Sequence, residues 1–520
     1  MSLTAQHAYP LNCPTGRWTL VSTILASSMA FIDSTALNVI LPSLQRDLGA
    51  TGSDLFWVLN GYLLMLAALI IVGGSLGDKL GRVKVFKFGI LIFTLGSILC
   101  GVTPSVQLLI VFRMIQGVGG ALMIPGSLAI ISAVFSAEEK GKAIGSWSAA
   151  TTIVTICGPV LGGALADIGL WRFIFFINVP LGLLSILILH FKVPESREPG
   201  ASKIDWWGAV LLVLSLSLIT FGFLEMPEIG SDHQLVISSL AVGSILMGVF
   251  IWVETNVNQP MIPLGLFKSK TFSGVNLLSF FLYAGLGAIM LFLSLNIIQV
   301  QGYSQLQAGL TFLPFSFVMI LLARKMGSLS DKFGVRRFLI IGPSLTGFGM
   351  LWLSLIGITS GPSEYWTTFF PPFMLFAIGM SITVVPLTTA VMTCVDSSQS
   401  GIASGINNSV TRISGTFMNA VLGAVAILFF ASYSMDAMQT LNLSETQTKE
   451  LLVETTKLGE ARAPLEYSAA LQMSINTAFQ NGFVSTYKWV GLLSSSLAFL
   501  SALIAFFMVE EKGKLTGKGN

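Results

Sequence analysis

Fourteen runs of predominantly apolar residues dominate this chain of 520 residues. They span 18–40, 55–76, 86–103, 106–133, 143–166, 173–191, 205–224, 234–253, 272–299, 307–326, 338–358, 367–391, 402–431 and 484–509. A helix needs about 20 such residues to cross the hydrocarbon of a bilayer, so each run predicts one span. Barrels are excluded, because their strands alternate every second residue in stretches of about ten. Composition agrees: 53% of the residues are hydrophobic and 10% charged, against about 25% charged in a soluble domain. So much apolar surface exceeds what soluble cores can hide. Cys13, Cys100, Cys157 and Cys394 are too few to staple such a chain with disulfides. The fold class is therefore all-α and integral to a membrane. The first run is too long for the apolar stretch of a cleavable signal, and only Arg17 precedes it closely.

The bias of Lys and Arg sets the expected orientation. With the N-terminus in the cytoplasm, 20 of the 28 basic residues fall in inside loops, among them Arg82, Lys142, Lys203, Lys270, Arg336, Lys512, Lys514 and Lys518. Six fall outside, Lys457 among them, and Arg113 and Arg412 lie within spans. Both termini are expected on the cytoplasmic side of a plasma (inner) membrane.

The chain contains a repeat. The loop after span 2 reads G-S-L-G-D-K-L-G-R-V-K (Gly74 to Lys84), and the loop after span 10 reads G-S-L-S-D-K-F-G-V-R-R (Gly327 to Arg337). Asp78 and Asp331 are 253 residues, or eight spans, apart. Two equal six-span halves would separate them by six spans, so two spans are inserted, best placed at spans 7 and 8. The expected organisation is an N-terminal six-span bundle over 1–195, the inserted spans and linkers over 196–262, and a C-terminal six-span bundle over 263–520. The last carries an extracytoplasmic loop at 433–482. Within it, Ser444 and Gln447 are spaced as a capping box, which predicts a short helix over 445–458. Parallel halves are a transporter architecture, with the binding site near the midplane.

Enzyme signatures are missing. No G-x-x-x-x-G-K-[ST] loop is present to use ATP. His7, His190 and His233 are isolated and no C-x-x-C occurs, so no metal site is signalled. Neither a G-x-S-x-G elbow nor a dinucleotide G-x-G-x-x-G is found, and the G-V-G-G at 117–120 reads as close helix packing. No cofactor is expected, and an ion gradient remains as the energy source. The expected partners are a small molecule, protons and the lipid bilayer, with no nucleic acid.

A charge held within a span is costly and is a functional hypothesis by default. Asp33 in span 1 and Arg113 in span 4 lie at matching depths, about 10–12 Å from the same side. Two readings are open: a static pair fixing span 1 against span 4, or a proton- or cation-binding carboxylate tuned by Arg113. In span 13, Gly405, Asn408, Arg412, Gly415, Thr416 and Asn419 form a polar stripe expected to face a wet cavity or a helix interface. In span 9, Asn276, Tyr283, Met290 and Ser294 form a softer one, open to ordinary packing or to adaptable binding of apolar ligands. Span 5 carries Gly145, then G-P-V-L-G-G at 158–163, which predicts a kinked, closely packed helix.

These residues resemble a family. The paired loops with Gly74, Asp78, Lys79, Gly81 and Arg82, and again Asp331 and Lys332, look like the signature loop of the major facilitator superfamily. R-M-I-Q-G-V-G-G (Arg113 to Gly120) resembles its second motif. Gly145, Gly158, Pro159, Gly162 and Gly163 resemble its antiporter motif, with Val154 standing where one glycine is usual. Together with I-D-S-T-A-L-N-V-I-L-P (Ile32 to Pro42), W-R-F-I-F-F-I-N-V-P-L-G at 171–182 and fourteen spans, the chain resembles the fourteen-span drug:proton antiporters, the EmrB/QacA-like branch. The resemblance implies two six-helix bundles plus two extra helices, alternating access about a central cavity, and loops around Asp78 and Asp331 that stabilise one access state. It implies export of lipophilic, often cationic, molecules in exchange for protons. On that reading Asp33 and Arg113 couple protons, and Asn38, Tyr283, Met290, Asn408, Arg412 and Asn419 are candidates to line the cavity. A periplasmic adaptor is a further possible partner in a double-membrane bacterium. Two other readings stand beside it: an exporter of one metabolite, siderophore or lipid-like compound, and a non-transporting membrane scaffold or sensor.

Overall fold

The computed structural model describes residues 9–197, 205–257, 260–395, 399–441 and 443–510. Lys203, Lys512, Lys514 and Lys518, counted above for orientation, lie outside them. The described chain is helical almost throughout. In order, its helices are α1 Pro14–Leu48, α2 Gly52–Leu80, α3 Arg82–Val102, α4 Val106–Val134, α5 Ala137–Asp167, α6 Phe173–Lys192, α7 Trp206–Ile229 and α8 Gln234–Asn256. There follow α9 Lys270–Leu295, α10 Gln305–Thr311, α11 Leu313–Phe333, α12 Val335–Ser354, α13 Phe370–Thr393, α14 Ser400–Met438, α15 Glu445–Glu454 and α16 Ala469–Met508.

Thirteen helices among the described residues are long and apolar enough to cross a membrane. The expected run at 338–358 is α12, a helix of 20 residues that is not one of the thirteen. It opens on Arg336 and Arg337 and contains Pro343, Gly342, Gly347 and Gly349, which dilute its apolar character. Its small residues serve packing instead. A Cβ on Gly342 would collide with the Thr383 hydroxyl of α13, and one on Gly349 would stand 2.6 Å from the Phe376 backbone nitrogen. Its large apolar residues Ile341, Phe348 and Trp352 are exposed.

The chain forms two compact units. The first comprises residues up to Ile40, Trp57–Ser217 and Ile245–Ile262; the second comprises Leu41–Phe56, Leu218–Ser244 and the chain from Pro263 onward. In the first unit α3 lies along α4 at close range, since Gly89, Gly96 and Gly119 present bare backbone at the crossing. A Cβ on Gly96 would stand 3.0 Å from Gln116 N, and one on Gly119 would meet Phe93 N. The buried aromatics Tyr62, Phe86 and Phe93 fill the space around them. In the second unit α9 packs on α14 and α16, and α12 lies between α13 and α16.

The segment expected as a loop at 433–482 is shorter than its sequence suggested, because α14 runs to Met438 and α16 starts at Ala469. Between them the capping box forms. Ser444 Oγ accepts from Gln447 N at 3.3 Å, and Ser444 N donates to Gln447 Oε1 at 2.9 Å. The helix it opens ends at Glu454, and Thr455–Glu460 tightens into a 3-10 turn, short of the expected 458.

Candidate functional site

In the first unit α1, α3, α4 and α6 bring polar side chains to one dry point. Arg113 and Asp33 are each only 1% exposed at the side chain, and Arg113 Nη1 lies 2.5 Å from Asp33 Oδ2. The same Nη1 donates to Gln116 Oε1 at 2.6 Å. Gln116 Nε2 in turn donates to Asp33 Oδ1 at 2.9 Å and to Ser97 Oγ at 2.8 Å. Asn178 Nδ2 reaches the same Ser97 oxygen at 3.0 Å. Arg113 and Gln116 are three residues apart on α4, which places both on one face.

Arg113 has further partners. Its Nε donates to the Val58 carbonyl at 3.3 Å, and its guanidinium sits 4.5 Å from the centre of the Tyr62 ring. A cation over an aromatic face gains about 2 kcal/mol or more when desolvated. The two α2 contacts hold the guanidinium independently of Asp33. The carboxylate, by contrast, depends on Arg113 and Gln116 for its hydrogen bonds. Arg113 thus has an acceptor and a ring of its own on α2.

Span 5 touches the stretch of α1 that carries Asp33. A Cβ on Gly158 would collide with Thr35 Oγ1, and one on Gly162 would stand 2.9 Å from the Ala36 Cβ. Thr35 Oγ1 also lies 3.3 Å from the Thr155 carbonyl. Gly163 is buried, Pro159 lies within the helix, and Gly145 faces open space. Asn38 lies one turn beyond, half-buried on α1.

The first repeat loop is a closed structure. Arg82 pairs with Asp78 at 2.8 Å, one helical turn apart, while Lys79 is exposed. Gly81 has φ +117°, a conformation L side chains avoid, and a Cβ there would stand 2.8 Å from the Glu195 carboxyl carbon. Glu195 accepts from Val83 N and Lys84 N, both at 2.9 Å, and so neutralises the start of α3. Gly74 is part of α2. In the second loop Gly334 holds the matching position with φ +89°. There Asp331 and Lys332 are exposed, and no ion pair of Asp331 is seen among the described residues.

In the second unit α14 and α9 meet through polar side chains. Asn407, not Asn408, bridges to α9, with its Nδ2 3.2 Å from Asn276 Oδ1 and 2.7 Å from Ser279 Oγ. Ser414 Oγ donates to the Phe280 carbonyl. Asn408 is exposed, Arg412 half-buried, and Asn419 buried at the point where Gly287 lets α9 approach. Tyr283 and Met290 are half-buried on α9.

Residues 23–419 match the Major Facilitator Superfamily. The chain belongs to the major facilitator superfamily. It is a multi-pass integral membrane protein of a transporter family, not an enzyme, and its relatives include exporters of drugs and antibiotics. It is 34% identical to the multidrug resistance protein Stp of Mycobacterium tuberculosis over 78% of this chain and 75% of that protein. It is 28% identical to the tetracenomycin C resistance and export protein of Streptomyces glaucescens over 94% and 91%. Among solved structures, a bacterial homologue of the human lysosomal transporter Spinster, inward-facing and occupied, aligns with TM-score 0.65 at 18% identity over 95% and 98%. That likeness carries the fold alone.

Proposed function

We propose that the chain is a proton-coupled antiporter exporting lipophilic, mainly cationic, small molecules by alternating access. The observation that carries this reading is the buried Asp33–Arg113–Gln116 network, an ionisable carboxyl held within a span with exchangeable partners. The similarity to a multidrug resistance protein supports the direction and breadth of transport. Asp33 would accept a proton from one side and release it to the other, with Arg113 retained by Val58 and Tyr62 during the exchange. The reading includes fourteen spans of the EmrB/QacA-like type, with α7 and α8 as the inserted pair between bundles at 1–195 and 263–520. It places both termini in the cytoplasm, in the plasma membrane. The proton gradient is the energy source, no cofactor takes part, and an adaptor joins only in a double-membrane cell. Asn38, Tyr283, Met290, Asn408, Arg412 and Asn419 remain the candidates for substrate contact.

The test is Asp33→Asn in proteoliposomes, which keeps shape and hydrogen bonding but cannot ionise. Uptake of a fluorescent lipophilic cation on imposing a pH difference should be lost while the protein inserts normally. Uptake against the gradient at wild-type rate would move coupling away from Asp33.

A second reading, an exporter of one specific metabolite, siderophore or lipid-like compound, is supported by the similarity to a tetracenomycin C resistance and export protein. A panel of unrelated lipophilic cations separates the two: broad efflux supports the first, and efflux of none supports the second.

A further inference from the structure

At the end of α7 and α8 away from their connecting turn, two carboxyl oxygens face each other without a partner. Asp205 precedes α7 and accepts from Gly208 N through Oδ1 at 2.8 Å, an N-cap. Glu254 lies near the end of α8, is 3% exposed, and accepts from Ile262 N through Oε2 at 2.9 Å. The other oxygen of each, Asp205 Oδ2 and Glu254 Oε1, is buried and makes no hydrogen bond to a donor. Both point to one spot beside Gly208. A Cβ on that glycine would stand 2.6 Å from Glu254 Oε1 and 2.7 Å from Asp205 Oδ2. The missing side chain leaves the room in which they meet, each within 2.7 Å of the same point.

Two ionised carboxylates cannot remain so placed, since like charges at this range repel strongly in a dry site. Among the described residues no ion pair of either carboxylate is seen. The hydrogen bond that Glu254 does accept comes from the backbone N–H of Ile262. A metal ion is a poor fit, since calcium takes six to eight oxygens and magnesium an octahedron, and the site offers two free oxygens.

We propose that Asp205 and Glu254 hold one shared proton, as a carboxylic acid donating to a carboxylate, forming a proton site separate from Asp33. The proton clamps the start of α7 to the end of α8, and Glu254 also holds the linker at Ile262. The folded chain then carries one proton more than the unfolded chain at neutral pH, so stability must fall as pH rises.

The test uses the full chain in lipid nanodiscs, measuring thermal unfolding from mildly acidic to alkaline pH with infrared spectra in parallel. The wild-type midpoint should fall with rising pH, together with loss of a protonated carboxyl band. Glu254→Gln places a permanent amide donor against Asp205 Oδ2. It should abolish most of that pH slope and remove the band, and Asp205→Asn should do the same from the other side. A wild-type slope retained in both variants overturns the proposal. So does stabilisation of the wild type, but not of the variants, by magnesium or calcium, which would mark a cation site. If neither variant inserts, the wild type alone decides. A band that disappears in step with the midpoint supports the shared proton, and a band that is absent or constant with pH overturns it.

Discussion

Asp33 and Arg113 are unequal partners. Truncating Asp33 to Ala leaves a buried guanidinium short of its counter-charge, a loss that costs about 3–5 kcal/mol in buried pairs. Arg113 retains Val58, Tyr62 and Gln116, so the cost should lie at the lower end, read as a reduced unfolding temperature in detergent. Replacing both, as Asp33→Asn with Arg113→Gln, should recover most of that stability while transport stays lost. Transport surviving the double change would leave the pair a structural fixture. Gln116→Leu should weaken coupling, because it removes hydrogen bonds to both charged groups. Cys394, just past α13, gives a separate readout. Burial pushes its thiol up to about 11, and the thiolate is the nucleophile. In a variant whose other cysteines are serine, maleimide labelling of Cys394 should be slow at neutral pH and rise steadily toward pH 11. The charged pair was legible because charges stand out in apolar runs. Ser97 and Asn178 were not, since uncharged polar residues are common in such runs. Gln116 had a signal, its spacing of three from Arg113. Asn407 was missed for a reason of rotation. Adjacent helix residues point about 100° apart, and α14 turns Asn407, not Asn408, toward α9.

At the scale of the helix, glycines sort by what faces them. Gly158→Leu should impair export at normal protein level, because its side chain enters the space of Thr35 and Ala36 and forces α5 off α1. Gly145→Ala should be silent, as nothing stands within 4 Å of the added carbon. Equal effects of the two substitutions in a dye-efflux assay would detach the motif from the α1 contact. Gly81→Ala combines a strained φ with a collision at Glu195 and should lower both stability and transport. The helices themselves were readable from the apolar runs. Their ends were not, because hydropathy marks only the part in hydrocarbon: α5 starts at Ala137, and α16 begins 15 residues before the apolar run at 484. The capping box at Ser444 could be read because a cap is local chemistry, needing no tertiary partner.

For the whole molecule, the repeat written in two loops reappears in the backbone as Gly81 and Gly334, each with positive φ before a new helix. The side chains around them diverge: Asp78 is paired and Asp331 exposed. Sequence similarity conveyed the turn, while the partners, such as Glu195, come from elsewhere in the chain. The proposed topology has a direct check. Single cysteines near Arg82, Lys142, Lys203, Lys270 and Arg336 should react with an impermeant reagent only from the cytoplasm, and one near Lys457 only from outside. External labelling near Lys203 would remove the inserted pair. Labelling of Arg336 and a site near Ser360 from the same side would remove α12 as a span.

α14 and α16 have 39 and 40 residues. At 1.5 Å per residue each is roughly 60 Å long, about twice the hydrocarbon thickness. They pack on each other, and Gly482 lets Ser434 sit against α16 near the far end of α14. Such a pair exceeds the hydrocarbon thickness, so its tip extends past the span, on the same helix α14 that carries the polar stripe. An antibody fragment raised against its tip would turn a small, featureless particle into one that electron microscopy can orient.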